Sequence, residues 1–251
     1  MEATGPTLLR RALAVLRAKQ YLVFYAIPVY ALAVGASLLL SWLRARESAV
    51  DVLSRAAAPF YDAAARPGFF AVAIVVAYLA LSTWFRAGYI RSIVGRFRLR
   101  PQSGTQFFSL LGVYVVTEAV AGLSAWALSA SGSATVTTIV GIVRLVLVIV
   151  LMYADYAVVI TGVDPVRAIF RSWACVRANV ALSLLVAVAF SLVGSVASAV
   201  LFLLLEGGWL QAAPLLVIYV VVMGVVSFVV DVVLVVAYSH AVETGRLPRA
   251  R

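Results

Sequence analysis

Five ionisable side chains interrupt long apolar stretches of the sequence, and they are the residues best placed to do chemistry. They are Arg86, Glu118, Arg144, Asp155 and Asp231. A charge in apolar surroundings costs free energy, so each of these residues needs a partner, a polar cavity or a function. Carboxylates in such places can bind and release protons or cations, and an arginine can neutralise them.

Arg86, Asp155 and Asp231 are predicted to meet, because they occupy similar depths near corresponding ends of their apolar stretches. One arginine with two carboxylates would hold three helices together as a structural cluster. The alternative is a proton- or cation-coupled site, because one carboxylate would be left free to bind a cation. Tyr153 and Tyr156 flank Asp155 and can donate hydrogen bonds to it.

Glu118 and Arg144 form a second set, at nearby depths when both are counted from the turn that separates their stretches. Three interpretations are open: a structural ion pair, a gated polar site in a conduction path, or two unrelated placements. The ion pair is favoured, because a charge in apolar surroundings is stabilised most simply by an opposite charge.

The composition around these charges excludes most classes of protein. Of the 251 residues, 65% are hydrophobic and 12% are charged, and the mean hydropathy is +1.08. Soluble domains are roughly 45 to 50% apolar and about 25% charged. A disordered chain is poor in apolar residues, so disorder is excluded as well. The remaining class is a polytopic membrane protein.

A bilayer core about 30 Å thick needs about 20 apolar residues in a helix. Six stretches of that length predict an all-α fold with six transmembrane helices in a single domain. The predicted spans are about 21–43, 69–90, 105–129, 136–161, 178–205 and 214–239. The outer loop 44–67 is the only sizeable segment that this arrangement leaves outside the membrane.

The basic residues predict an orientation, because retained positive charge marks the cytoplasmic side. Fourteen of the 20 Lys and Arg residues fall on one side, in the N-terminal segment, the connections 91–104 and 162–177, and the tail. We therefore predict that both termini are cytoplasmic. The basic residues are confined to these short stretches between apolar runs and form no aromatic-interleaved basic domain, so we expect no nucleic-acid partner.

Two segments, 6–19 and 165–177, are predicted to form amphipathic helices on the cytoplasmic surface. Their arginines would contact the anionic headgroups of membrane lipids. These residues are Arg10, Arg11, Arg17, Arg167 and Arg171. Each segment precedes a charge-free span, which suggests a duplicated unit of surface helix plus two spans, related by an axis along the membrane normal. Alternatively, any surface helix that precedes a span has this pattern.

The stretch from Tyr153 to Asn179 resembles a signature of bacterial six-span inner-membrane proteins. This group includes the membrane domain attached to some glycerophosphodiester phosphodiesterases and its stand-alone, mostly uncharacterised relatives. The matching positions are Gly162, Pro165, Ala168, Ser172, Trp173, Arg177 and Asn179. The resemblance implies a multi-pass protein of the bacterial cytoplasmic (inner) membrane. It does not imply hydrolysis, because the chain has no room for a phosphodiesterase domain.

Motifs for catalysis are missing from the sequence. His240 is the single histidine and Cys175 the single cysteine, and there is no Gly-x-Ser-x-Gly turn or phosphate-binding loop. We therefore expect no metal, no cofactor and no enzymatic activity. Catalysis by the intramembrane carboxylates is the alternative that the sequence leaves open.

Two functions compete as predictions. The leading hypothesis is a scaffold or accessory subunit that organises lipids or a partner membrane protein through its basic surface helices and a small-residue face. That face consists of Ala187, Ser191, Ser195 and Ala199. The scaffold hypothesis expects both sets of charges to be paired, without a continuous polar cavity. The second hypothesis is a small-solute or lipid transporter, which needs a midplane cavity lined by a carboxylate.

Overall fold

The computed structural model describes residues 5–43, 69–95, 104–130, 133–206 and 212–247. The predicted outer loop 44–67 lies outside these residues. Within them the chain forms helices and turns and no strand. The helices are α1 (Gly5–Ala18), α2 (Val23–Leu43), α3 (Phe69–Val94), α4 (Gly104–Ala130), α5 (Ala134–Leu151), α6 (Ala154–Thr161), α7 (Pro165–Ala178), α8 (Val180–Glu206) and α9 (Ala212–Glu243).

The long apolar helices make this a multi-pass membrane protein. In the described ranges, five stretches are long and apolar enough to cross a membrane, namely 72–94, 104–124, 135–161, 180–197 and 214–243. The bent pair of α1 and α2 adds a sixth if it is counted as one crossing. Because lipid offers no hydrogen bonds to the backbone, helices satisfy the peptide groups of such apolar stretches internally.

Lys19 lies at the sharp joint between α1 and α2. The two helices meet at 76°, and a 3₁₀ turn, Gln20–Leu22, follows the joint. The Lys19 ammonium donates hydrogen bonds of 2.8 Å to the carbonyls of Ser92 and Ile93. These carbonyls lie in the last turn of α3, where helical partners run out. Burial lowers the pKa of Lys19.

The joint fastens the N-terminal helix to the bundle. α1 packs against α9, and α2 packs against both α3 and α9. Ala12 is buried in the contact, and Arg11 forms an exposed ion pair of 3.6 Å with Glu243. α2 approaches α9 closely at Gly224, where an added Cβ would lie 2.9 Å from the Ile27 Cα. Glycine is therefore required there by the distance between the two helices.

The fourth predicted span, 136–161, is not one continuous helix. α5 ends at Leu151 and α6 begins at Ala154, and Met152 and Tyr153 form a turn between them. The two pieces together still form one candidate membrane crossing. This break is the main departure from the helices that hydropathy predicts, and it positions Asp155.

Buried side chains concentrate at one end of the bundle, where α3, α4, α6, α7 and α9 meet. Large buried side chains there include Tyr89, Ile90, Leu110, Tyr153, Tyr156, Val158, Val232 and Tyr238. At the other end, α5 exposes apolar residues such as Ile139, Ile142 and Val146. Apolar exposure of this kind suits lipid as the surrounding medium. Ser195 and Ala199 of the small-residue face are also exposed, so that face packs only at Ala187.

The two surface helices are joined to the next helix in similar ways but pack differently. Lys19 has φ −127° and ψ 27°, and Asn179 has φ −136° and ψ 42°. α1 packs on α9, whereas α7 packs on α4, α5 and α6. In the predicted repeat, α1 corresponds to α7 and α3 to α9, so a two-fold relation would place α7 mainly on α3. The internal repeat therefore stays a prediction.

Candidate functional site

Ser172 joins the two halves of the broken span. Its Oγ donates a hydrogen bond of 2.5 Å to the Val150 carbonyl and accepts one of 3.0 Å from the Tyr153 N–H. A helix break leaves such backbone groups without partners, and unsatisfied groups are costly in apolar surroundings. The fully buried Ser172 hydroxyl therefore stabilises the break at which α6 begins.

The turn between α6 and α7, and the close packing of α7, position Ser172 beside the break. Gly162 ends α6 with φ 69°, a left-handed conformation that favours glycine. Asp164 caps α7 by accepting the Arg167 N–H at 3.0 Å, and this hydrogen bond lowers the pKa of Asp164. Pro165 opens the helix against Gly112, where an added Cβ would lie 2.9 Å from the proline ring. The small, fully buried Ala168 keeps α7 close to the bundle.

The remaining positions of the family-like motif lie towards the end of α7. Asn179 donates to the Cys175 carbonyl from both its backbone N–H (3.0 Å) and its side-chain amide (3.2 Å). The Arg177 guanidinium lies 5.7 Å from the ring centroid of the exposed Trp173. Cys175 is buried, and burial raises its pKa to about 12. The motif residues that contact the bundle therefore fix the position of α7 against the neighbouring helices.

Arg86, Asp155 and Asp231 lie together, from α3, α6 and α9. The Arg86 Nε donates to Asp155 Oδ2 at 2.9 Å. Its Nη1 and Nη2 donate to Asp231 Oδ2 and Oδ1 at 2.5 and 2.7 Å, as a two-pronged pair. The side chains are 16%, 16% and 5% exposed, so solvent weakens these contacts little. We call this group the Arg86 cluster.

The two tyrosines bind partners other than those that the sequence predicted. The Tyr156 hydroxyl donates to Asp231 Oδ1 at 2.5 Å, rather than to Asp155, and accepts a hydrogen bond of 3.1 Å from Arg86 Nη2. Asp155 Oδ1 accepts the Tyr156 backbone N–H instead. The Tyr153 hydroxyl pairs with Ser183 on α8 at 3.2 Å. Tyr153 lies in the break, before the first residue of the helix that carries Asp155, and its side chain points to α8 rather than to Asp155.

The Arg86 cluster combines two carboxylates with one guanidinium. If both aspartates are ionised, one negative charge is in excess, and excess charge is unfavourable in an apolar interior. A shared proton or a bound cation would neutralise it. In the described part of the chain, no group of three or more His, Cys, Asp or Glu side chains could hold a metal ion.

Glu118 and Arg144 do not form the predicted ion pair. The Tyr78 hydroxyl of α3 donates to Glu118 Oε1 at 2.9 Å, so Glu118 lies on the side of α4 that meets α3. Arg144 makes no hydrogen bond or ion pair with any residue that the structure describes. Instead it lines a cavity together with residues of α4, α8 and α9. A neutral tyrosine hydroxyl takes the place of the arginine beside Glu118.

A cavity of about 370 Å³ connects Arg144 with the Arg86 cluster. It lies between α4, α5, α8 and α9, and Asp155 at the start of α6 closes one end. Apart from the charged residues, the lining is mainly apolar with a few hydroxyl groups. It includes Val113, Tyr114, Thr117, Val148, Val186, Ala187, Phe190, Ser191, Ser227 and Val230. The volume falls within the roughly 300 to 1,000 Å³ typical of small-molecule sites.

The predicted headgroup-contacting arginines are not all alike. Arg10, Arg11, Arg17 and Arg167 are exposed. Arg171 is partly buried, and one of its guanidinium nitrogens is enclosed without a hydrogen-bond partner among the described residues. Arg171 therefore points partly into the protein, unlike Arg167 one turn earlier on the same helix.

Sequence reasoning identified Tyr153 and Tyr156 but missed three other tyrosine and serine residues of the site. Tyr78 and Ser183 partner predicted residues, and Tyr114 lines the cavity. Tyr114 and Thr117 are three residues apart on α4, a spacing that places both on one face of a helix. In the sequence, that spacing was the signal that could have predicted a polar face of α4 towards the cavity.

Comparison of the chain with family models, with curated proteins and with solved structures found no match.

Proposed function

We propose that this chain is a small-solute or lipid transporter of the membrane, with its binding site in the cavity between Arg144 and the Arg86 cluster. The observation that carries the proposal is a cavity of about 370 Å³ with ionisable groups at both ends and mainly apolar walls. Transporters commonly place a substrate site near the bilayer midplane and line it with a discontinuous helix. The α5–α6 break beside the cavity has that character.

The arrangement of charges favours transport over a pure scaffold. A scaffold needs its intramembrane charges neutralised and its interior closed. Here the Arg86 cluster is paired, but Arg144 has no partner among the described residues, and both line a cavity. In the proposed mechanism, Asp155 and Asp231 bind and release a proton as the solute binds and leaves. The cluster can bind this proton because it has one more carboxylate than its single guanidinium neutralises.

A lipid-organising role is the second candidate, and α1 supports it. This helix exposes Arg10 and Arg17 together with Leu9 and Leu13, which are 57% and 45% exposed. A helix with exposed arginines and exposed leucines suits the boundary between headgroups and acyl chains. Vesicles with and without anionic lipid would test this role, because headgroup attraction weakens in neutral membranes.

We further propose six membrane crossings, with both termini in the cytoplasm of a bacterial cell and the membrane domain resembling the six-span group named above. The distribution of Lys and Arg along the sequence supports this orientation. Reporter fusions after residues 20, 100 and 247 test it. All three should report the cytoplasm, and an opposite result at residue 100 would contradict the proposal.

The first test asks whether water enters the cavity. Both Val146 and Val148 of α5 are exposed, at 52% and 45%, but only Val148 lines the cavity. In a Cys175→Ala background, Val148→Cys should react with a charged methanethiosulfonate reagent, and Val146→Cys should not, because only water ionises a thiol readily. Equal protection of both cysteines would contradict a transport cavity and favour the scaffold.

The second test measures movement of solute in proteoliposomes. Hexanesulfonate and hexyltrimethylammonium serve as amphiphilic probes, with currents recorded on a supported membrane, and a fluorescent phospholipid with dithionite quenching tests lipid movement. We expect at least one of these to move, and Asp155→Asn to abolish proton-driven movement. Asp164→Asn is the matched control, because Asp164 lies on α7 outside the cavity. Protein without any of these activities would contradict the proposal.

A further inference from the structure

The two arginines of the cavity differ in what remains available for a ligand. Arg86 directs its donors to Asp155, Asp231 and the Tyr156 hydroxyl. Arg144 has no hydrogen-bond or ion-pair partner in the described ranges. An arginine is always charged and carries five N–H donors in a planar fork. Arg144 is therefore the cavity residue with the largest unused capacity to bind an anion.

The depth of Arg144 makes a missing partner unfavourable. It lies ten residues after the first residue of α5, roughly 15 Å along the helix, which is about half of a 30 Å hydrocarbon core. Intramembrane arginines are found paired or facing water-filled cavities, and they mark pathways for ions or substrates. A bound anion would supply the charge that Glu118 does not.

Other groups of the same cavity add donors and apolar walls. The hydroxyls of Tyr114, Ser191 and Ser227 line it, and none makes a hydrogen bond with another described residue. Val148 and Phe190 contribute apolar surface to the lining. Hydroxyls can donate to an anion that an arginine already attracts, and the apolar walls favour a ligand that is not a bare ion.

We propose that Arg144 binds the anionic group of a single-chain amphiphile, a carboxylate, sulfonate or phosphate ester whose apolar body lies along the cavity walls. This inference rests on the proposed transport function and narrows it to one substrate class. A volume of about 370 Å³ encloses a short single-chain molecule and is small for a two-chain lipid. The paired Arg86 cluster leaves the ligand's negative charge to Arg144 and the hydroxyls.

Equilibrium binding to nanodisc-embedded protein tests the inference, with empty nanodiscs as the blank for partition into lipid. Radiolabelled hexanesulfonate is the probe, and hexyl phosphate, hexanol, hexyltrimethylammonium and inorganic phosphate are competitors. Hexyl phosphate should compete, whereas the neutral and cationic molecules should not. Inorganic phosphate should compete poorly, because it gains nothing from apolar walls. This selectivity is measured on the wild-type chain and needs no variant.

Variants of Arg144 test whether this residue binds the anionic group of the probe. Arg144→Gln should weaken hexanesulfonate binding about tenfold or more, since a charge-assisted hydrogen bond is lost. Arg144→Lys should retain part of the affinity, because it keeps the charge and loses the planar fork. The matched control is Arg167→Gln, an exposed arginine on α7 away from the cavity.

The outcomes separate this inference from the proposed function. If hexanol binds as well as hexanesulfonate and Arg144→Gln changes neither, Arg144 is not the anion site, although the cavity still binds solute. If inorganic phosphate competes as well as hexyl phosphate, the ligand is a free anion and the amphiphile class is wrong. If no probe binds and the Val148→Cys variant stays unreactive, the transport function fails as well.

Discussion

Arg86 and Arg144 both line the cavity but differ in almost every contact. Arg86 binds two carboxylates and a tyrosine hydroxyl from two other helices. Arg144 has no such partner among the described residues, and it faces open space. An arginine in a membrane span is thus a structural residue or a binding residue depending on its neighbours. The difference indicates which end of the cavity is fixed and which end is available to a ligand.

The same contrast extends to the helices around them. The stretches that carry Arg86 and Asp231, 72–94 and 214–243, are each 44% buried over their most apolar part, against 11% for the stretch 135–161, which carries Arg144 and, near its end, Asp155. Tight packing holds a charge cluster in one geometry. Sparse packing around α5 leaves room for a solute and for movement of the helix.

The largest expected effect comes from removing the fixed arginine. Arg86→Gln leaves Asp155 and Asp231 buried without their counter-charge, which should cost about 3 to 5 kcal/mol of unfolding free energy. Thermal unfolding of purified protein in mild detergent measures it. Arg144→Gln is the matched control and should leave the unfolding temperature nearly unchanged or raise it.

A double substitution sharpens this result. Adding Asp231→Asn to Arg86→Gln removes one of the two negative charges that are left without a counter-charge, so the double variant should recover part of the lost stability. If the two substitutions are simply additive, the aspartates do not depend on Arg86 for neutralisation. Equal losses from Arg86→Gln and Arg144→Gln would erase the distinction between the two arginines.

An intermediate effect is expected from the residue that places Asp155 beside Arg86. Ser172→Ala leaves the Val150 carbonyl and the Tyr153 N–H without their partner, at about 1 kcal/mol for each buried group. Faster amide exchange at Tyr153, measured by mass spectrometry, should accompany the loss of stability. Ser191→Ala is the control, because that hydroxyl lines the cavity without a partner among the described residues. Equal exchange in both variants would show that Ser172 does not hold the break.

Hydropathy was sufficient to predict most helix bounds. The span predicted at 105–129 corresponds to Gly104–Ala130, and the one at 178–205 to Val180–Glu206. The apolar length of a span is set by the bilayer, so composition alone determines it closely. The break at Met152 was not predictable in this way, because neither proline nor glycine marks it and its partner, Ser172, lies twenty residues further along.

The charged residues show a different limit. Depth along a helix can be counted in the sequence, and Arg86, Asp155 and Asp231, which share a depth, do meet. The direction in which a side chain faces around its helix depends on which helices pack against that helix. Glu118 faces Tyr78 because α4 packs on α3, so its similar depth to Arg144 was not enough for a pair. Counting depth was therefore sufficient for the Arg86 cluster, but it did not predict which neighbouring helix Glu118 faces.

The smallest expected effect concerns the cap that holds α7, and with it Ser172, in place. The Arg167 N–H lowers the pKa of Asp164 in the folded protein, so the cap contributes full stability above the unfolded pKa of about 4. That contribution is lost as the pH falls through the lower, folded pKa. Cys175 reports the loss, because it is buried on α7 and reacts only when the helix loosens.

Below about pH 4, the wild-type chain should therefore react faster with dithiodipyridine, which attacks thiols even in acid. Asp164→Asn keeps a side-chain oxygen to accept the Arg167 N–H and cannot be protonated, so its reaction rate should stay flat over the same range. An equal acid response in Asp164→Asn would contradict this role of the cap, because the acid-sensitive group would then lie elsewhere than at the start of α7.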